Sequence, residues 1–436
     1  MTVHTIPIRD GIRLSSIRTD RFKTGILTFT LLLPSTRENF LYNTVLPGVL
    51  RRGTERYPTM AALNRRLDEL YASCVEIRTA RLGKNLALVL TAELLDESYA
   101  TDATSIIDGV TEVFSQMLLF PKLTAKGMFD PVAVEQEKRF ERDALRSAIN
   151  NTRAYASIRL SELMFREDET SPTLKERERA LDTITPQNLT DYYRRQVLNA
   201  PMEIFYVGTL SEEELQTITQ KHFAAWQVRH TPTLILPHPE KGCGELRITE
   251  SMPVSQGKLA MGFRTGVASD GKTSGNYVAL MLNELFGGAP ASKLFMNVRE
   301  RMSLCYYCSS SYSPFSGIIK VSSGIESSNQ AQAEEAILAQ MESIRRGEIS
   351  ETEFHAAQVS LENAYRSIYD NPFDLQTFYG NRILFGNTET VEDCRVRLSA
   401  VTPEQVVSLA NQTVCDTVFF VEGTKQDSER EVSDDE

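Results

Sequence analysis

One order of elements occurs twice along this chain, and that repetition limits the fold more than any other feature. The strand-like run Leu27-Thr-Phe-Thr-Leu31 is answered 232 residues later by Leu259-Ala-Met-Gly-Phe263, and Tyr71-Ala-Ser-Cys74 is answered 233 residues later by Leu304-Cys-Tyr-Tyr307. So steady an offset points to a duplicated domain. In the first half, period-2 apolar runs predict strands over about 25–33, 73–81, 85–94 and 202–208. Helical spacing, as in Leu160, Leu163 and Met164, predicts helices over about 45–72, 100–118, 132–149, 152–165, 186–197 and 211–224. The second half repeats this with strands near 257–265, 304–313, 316–324 and 416–422. Its helices fall near 275–287, 291–301, 329–346 and 351–370, with two short ones after them.

Strands that come as hairpin-like pairs between helices give an α+β fold: two homologous domains, each an antiparallel sheet covered by helices. The His-, Pro- and Thr-rich stretch 227–244 reads as a linker, which sets the domains at 1–226 and 245–424. The acidic tail 425–436 holds almost no apolar residue and is expected to be disordered.

The 436 residues, 41% of them hydrophobic, suffice for two cores without covalent staples. Six cysteines scattered over such a length are expected to be reduced thiols. With 47 Lys+Arg against 58 Asp+Glu, the net charge of -11 disfavours nucleic acid and anionic membranes as partners. No apolar run approaches the roughly 20 residues that cross a bilayer, and the N-terminus lacks the design of a secretory signal. A cytoplasmic location is expected.

The segment from Leu285 to Tyr306, Leu-Phe-Gly-Gly-Ala-Pro-Ala-Ser-Lys-Leu-Phe-Met-Asn-Val-Arg299-Glu-Arg-Met-Ser-Leu-Cys-Tyr306, resembles the second-half signature of the insulinase-like zinc peptidases. Leu50-Arg-Arg-Gly53-Thr54 and Thr185-Pro-Gln-Asn-Leu-Thr-Asp-Tyr-Tyr193 are also similar to that family, and the likeness extends over about 420 residues. Active members carry H-x-x-E-H on a helix just before the Gly-Thr. Two His four apart share a helical face and can both ligate zinc, while the Glu takes a proton from the bound water. Here those positions read Thr44-Val45-Leu46-Pro47-Gly48, and the downstream glutamate falls at Ala144, or at Asp143 with a one-residue slip. Pro47, costly by about 3 kcal/mol inside a helix, predicts that the helix begins or bends near it.

What the resemblance implies is a non-catalytic subunit, inactive alone and holding no metal. It would pair with a homologous zinc-bearing subunit around an unfolded peptide. Arg299 and Tyr306, kept from the family's pattern, are expected to bind the substrate carbonyl there. A structural scaffold without peptidase role is the alternative. Nucleotide binding is a weaker one: Gly266-Val-Ala-Ser-Asp-Gly271-Lys272-Thr273 satisfies the phosphate-loop pattern, although hairpin strands do not supply its parallel sheet. Cys305-Tyr-Tyr-Cys308 matches C-x-x-C, but in a regular strand residues three apart face opposite ways, which predicts structural cysteines sharing no metal.

Overall fold

The computed structural model describes residues 2–424 except 103, 169, 230, 240, 241, 243 and 270–274; the acidic tail thus lies outside the described residues. Strands His4–Arg9 (β1), Ile12–Arg18 (β2), Thr24–Leu33 (β3), Cys74–Leu82 (β4), Asn85–Leu95 (β5) and Met202–Gly208 (β6) form one sheet, in the order β1-β2-β6-β3-β5-β4. Leu246–Met252 (β7), Gly257–Arg264 (β8), Cys305–Ser313 (β9), Ile318–Ile325 (β10) and Val414–Gly423 (β11) form a second, in the order β7-β11-β8-β10-β9. Matching β2 to β7, β6 to β11, β3 to β8, β5 to β10 and β4 to β9 makes the two orders coincide. The architecture is therefore α+β, two sheets each covered by helices. Neither sheet is wholly antiparallel, because β2 runs parallel to β6 and β7 parallel to β11.

Strand position explains the sequence patterns. Central β3 is apolar along nearly its whole length because both its faces are covered, whereas edge strand β4 alternates buried and exposed residues. β1, β2 and β7, and the helix Leu174–Leu181, lie outside the elements expected from the sequence, although Ile6 and Ile8, Ile12 and Leu14, and Leu246 and Ile248 alternate along the three strands. β7 buries none of its side chains fully, and β2 buries Ser15 and Ser16 among its apolar residues. Even so, β2 buries Ile12, Leu14 and Ile17, and Ile248 and Met252 of β7 pack half-buried against Ala260, Phe419 and Val421.

The chain forms two compact units that do not follow its linear halves. The first comprises Met1–Leu145, Glu169–Ile235 and Ser367–Thr390; the second comprises Arg146–Asp168, Leu236–Arg366 and Val391–Glu436. Each unit therefore includes a helix from the opposite half of the sequence. In the first, the helix Pro372–Leu384 packs on β3 and β6, and its Leu384 joins Leu32, Ala87 and Val89. In the second, the helix Thr152–Met164 packs on β8 and β11. It buries Ala156, Leu160 and Met164, spaced four apart, against Ala260, Ile318, Phe419 and Val421.

The helix Thr152–Met164 is also tied down by a charge. Arg264 of β8 donates from Nε to Asp416 Oδ1 of β11 at 2.8 Å and from Nη2 to the Met164 carbonyl at 2.6 Å, with side chains only 6% and 4% exposed for Arg264 and Asp416. At such burial a guanidinium left without its carboxylate is costly. Asp416→Ala should lower the stability of the second unit by about 3–5 kcal/mol, whereas the paired change Arg264→Met with Asp416→Leu should recover most of the loss; urea midpoints of the three proteins check this.

Candidate functional site

The positions that resemble a zinc motif lie on the helix Arg37–Arg51, which starts ten residues before Pro47 under a Thr36 side-chain cap. Of the expectation that this helix begins or bends near Pro47, the first alternative is thus corrected: the proline sits inside it, buried among its neighbours. Position 47 has no N–H to give the carbonyl of Asn43, and the hydroxyl of Thr79 on β4 donates to that carbonyl instead, at 2.5 Å. A side chain from the sheet therefore replaces the missing helical bond.

Thr44 Oγ1 donates back to the Leu41 carbonyl at 2.7 Å. Gly48 has no room for a side chain, since a Cβ there would meet Glu137 Oε2 at 2.0 Å. Glu137 lies on the helix Pro131–Asn150, and its Oε1 accepts from Arg52 Nε at 2.5 Å. The same guanidinium donates to Gln136 and lies 5.6 Å from the centre of the Phe140 ring. Ala144, two turns beyond Glu137 on that helix, is exposed, as is Asp143. Where an imidazole at position 48 would project, an internal ion pair already fills the space and neutralises the carboxylate. This donor set does not fit a zinc ion: the motif offers one hydroxyl, a proline and a glycine. Among the described residues, no group of three His, Cys, Asp or Glu is placed to hold a metal.

In the second unit, Arg299 lies near the end of the π-helical stretch Leu294–Arg301 and Tyr306 near the start of β9. The Arg299 side chain is 40% exposed, with Nη1 3.6 Å from Glu300 Oε1 and the guanidinium 4.6 Å from the Phe295 ring centre. Tyr306 is 52% exposed and donates to Glu326 Oε1 at 3.2 Å. Ser303, with φ 53°, makes the left-handed turn between helix and strand. Asn297 Nδ2 donates to Gln340 Oε1 at 2.6 Å and anchors the helix two residues before Arg299.

The backbone around Tyr306 differs from a regular strand. Ile325 pairs with Cys305 and Gly324 with Tyr307, so Tyr306 is the extra residue of a β-bulge. That extra residue turns Cys305 and Cys308 to one face, and both are buried. The expectation that the two sulfurs face opposite ways is thus corrected, because a bulge converts a spacing of three into an effective spacing of two. Hydrogen bonding with Cys308, then with Ser323, and last the charge of Arg299 hold the Cys305 thiol below its ordinary value against the effect of burial; hydrogen bonding to Cys305 and burial push Cys308 well above it. Arg299 is thus close enough for its field to reach the residue beside Tyr306.

Gly271, Lys272 and Thr273 of the phosphate-loop pattern lie outside the described residues. The strand before them, β8, is flanked by antiparallel β10 and β11. It does not offer the parallel-strand edge on which such loops sit.

Sequence reading overlooked Arg52, Glu137, Thr79 and Glu326. Only Glu137 had an available signal: it stands seven residues before Ala144, hence on the same helical face.

Residues 183–361 match the family described as Peptidase M16 inactive domain. The chain is 28% identical over 416 residues to the "Probable inactive metalloprotease YmfF" of Bacillus subtilis (strain 168), covering 95% of this chain and 96% of that one. It is 25% identical over 232 residues to the "Uncharacterized zinc protease YmxG" of the same organism, about half of either chain (52% and 53%). Among solved structures, a conserved protein from Enterococcus faecalis V583 superposes with a TM-score of 0.87 at 26% identity, over 98% of this chain and 100% of that one. A peptidase M16 inactive domain from Pseudomonas fluorescens shares the fold, with a TM-score of 0.80 at 15% identity over 98% and 99% of the two chains.

Two measurements test this account of the motif helix. Thr79→Val should cost about 1–2 kcal/mol with Pro47 present and clearly less in a Pro47→Ala background, where residue 47 supplies its own N–H; equal costs in a urea-denaturation cycle would refute the substitution of one bond for the other. Added zinc should leave the melting temperature of the isolated chain unmoved, although a site filled at 100 times its Kd would add about 2.7 kcal/mol.

Proposed function

The chain is a homologue of the M16, insulinase-like peptidases, of the kind that lacks the zinc motif, and from that premise we propose that it is the non-catalytic subunit of a two-subunit peptidase. Its partner is a homologous chain carrying the intact H-x-x-E-H motif, and the pair acts on unfolded peptides in the cytoplasm. Consistent with that setting, no described helix is long and apolar enough to cross a membrane.

The observation that carries this reading is the contrast between the two candidate sites. At the motif helix, Arg52 and Glu137 pair with each other and fill the space above Gly48. At the turn into β9, Arg299 and Tyr306 keep substantial solvent exposure. A guanidinium and a phenolic O–H are both donors, and a peptide carbonyl is an acceptor. As water adds to that carbonyl its oxygen gains negative charge, and donors already aimed at it favour the transition state over the ground state. Arg299 supplies full charge and Tyr306 a neutral donor positioned by the bulge; Glu326 must release Tyr306 as the substrate carbonyl arrives. The metal and the attacking water belong to the partner subunit.

A structural scaffold role is the second reading. The engagement of Arg299 with Phe295 and of Tyr306 with Glu326 is what favours it, since both side chains already have partners in the isolated chain.

Co-expression with a zinc-bearing homologue decides between them. Arg299→Ala and Tyr306→Phe should each lower kcat/KM of the assembled pair by about 100-fold, with assembly unchanged on size exclusion. Undiminished rates, or a chain that ignores every zinc-bearing homologue, would favour the scaffold.

A further inference from the structure

The face of the second sheet that receives the helix Thr152–Met164 is unusually small and polar. Cross-strand registers place Lys258 and Ala260 of β8, Lys320 and Ser322 of β10, and Tyr307, Ser309 and Ser311 of β9 on this one face. An open cavity of ≈ 400 Å³ lies on it, bounded by Arg153 and Ser157 of the helix and by Ser309, Lys320 and Ser322 of the sheet.

Two cations, Arg153 and Lys320, line it, and a third, Lys258, stands beside it. The Arg153 guanidinium stacks 4.1 Å from the centre of the Tyr307 ring, and Lys258 Nζ is 5.9 Å from the same centre. The ring lies close against Gly324, where a Cβ would come within 2.5 Å of Tyr307 Cε1, so the glycine is needed for the stack. Lys320 Nζ meets only the neutral Ser161 Oγ, at 2.6 Å, and Lys258 Nζ only the neutral Gln256 Oε1, at 3.0 Å. No carboxylate lines the cavity, and among the described residues none of the three cations forms an ion pair, in a chain whose net charge is -11. Burial lowers the Lys320 pKa; burial and then the charge of Arg153 lower that of Lys258. These ammonium groups have therefore given up hydration without gaining a counter-charge, an arrangement that an arriving anion relieves.

The distribution of charge narrows the anion's identity. Lys258 lies opposite Gly324 and Lys320 lies four residues back along β10, so the two lysines leave the sheet backbone at points about 13 Å apart at 3.3 Å per residue. A single phosphate or sulfate does not match attachment points so far apart as well as a row of charges does. Carboxylates repeated along an extended chain supply such a row, with Ser309 and Ser322 between them as hydrogen-bonding neighbours.

We propose that this cavity, lined by Arg153 and Lys320 with Lys258 beside it at the Tyr307 ring, is a binding site for acidic peptide segments, separate from Arg299 and Tyr306. The anion site stands on its own charge and shape. Only the choice of a peptide as carrier rests on the function proposed above, and the test uses the isolated chain so that loss of binding and loss of cleavage stay distinguishable.

The probe is a fluorescent hexaglutamate peptide titrated into the full chain at low salt, with hexaserine and inorganic phosphate as controls. Hexaglutamate should bind, hexaserine should not, and phosphate should compete only weakly. Lys320→Met and Arg153→Gln should each weaken binding at least about tenfold, the size of a lost charge-assisted contact. Lys320→Met should also raise the melting temperature of the empty protein by about 2–4 °C, because a buried cation without a counter-charge is removed. Arg153→Gln reports on the site independently should the methionine variant misfold. Absence of hexaglutamate binding, binding indifferent to both substitutions, or phosphate binding as tight as the peptide's would each overturn the proposal.

Discussion

A dehydrated guanidinium holds the second unit together. Arg264 joins two neighbouring strands through Asp416 and reaches across to the last carbonyl of a helix that comes from the other half of the sequence. A buried pair of this kind adds little net stability, since desolvation offsets much of the Coulomb gain. Its contribution is geometric: hydrophobic contact alone would let the helix slide along the small residues of β8, whereas the Met164 carbonyl fixes its C-terminal end. Once that end is set, the opposite end carries Arg153 to the Tyr307 ring. The unit's covering helix and its cluster of cations thus share one anchor.

The motif helix of the first unit shows how a fold persists after its chemistry is gone. A proline in its third turn removes a helical donor, and a strand hydroxyl takes its place. A glycine removes a side chain, and a glutamate from the neighbouring helix closes over it with an arginine to balance the charge. Each loss is met by a neighbour that fills the space or takes the lost bond, as a close-packed interior requires. The second unit retains a different inheritance. A bulge places Tyr306 outward and turns two thiols inward, so one extra residue sets both an exposed phenol and a buried sulfur pair.

The repeated order of elements, the α+β class, the central strands and the amphipathic helices were all legible in the sequence, because burial imposes a period on residues that are neighbours in the chain. The loss of the zinc motif was legible too, being a matter of residue identity at fixed spacing. The edge strand β7 was missed although Leu246, Ile248 and Met252 alternate along it, because the period is short and Glu250 interrupts it. The bulge at Tyr306 escaped for another reason: register belongs to two strands at once, and Cys305-Tyr-Tyr-Cys308 alone does not say which of its residues is left unpaired.

By itself, then, the sequence determined a repeated order of elements in an α+β relative of the insulinase-like peptidases, with Thr44, Pro47 and Gly48 where that family carries H-x-x-E-H. Tertiary structure alone decided which helix covers which sheet, that Glu137 and Arg52 fill the space over Gly48, and that Arg153, Lys258 and Lys320 meet without a counter-charge. The physical reason is range. Periodicity and spacing record forces between residues a few positions apart, whereas ion pairing and packing act between groups far apart in the chain, such as Arg52 and Glu137, that only the folded chain brings within a few ångströms.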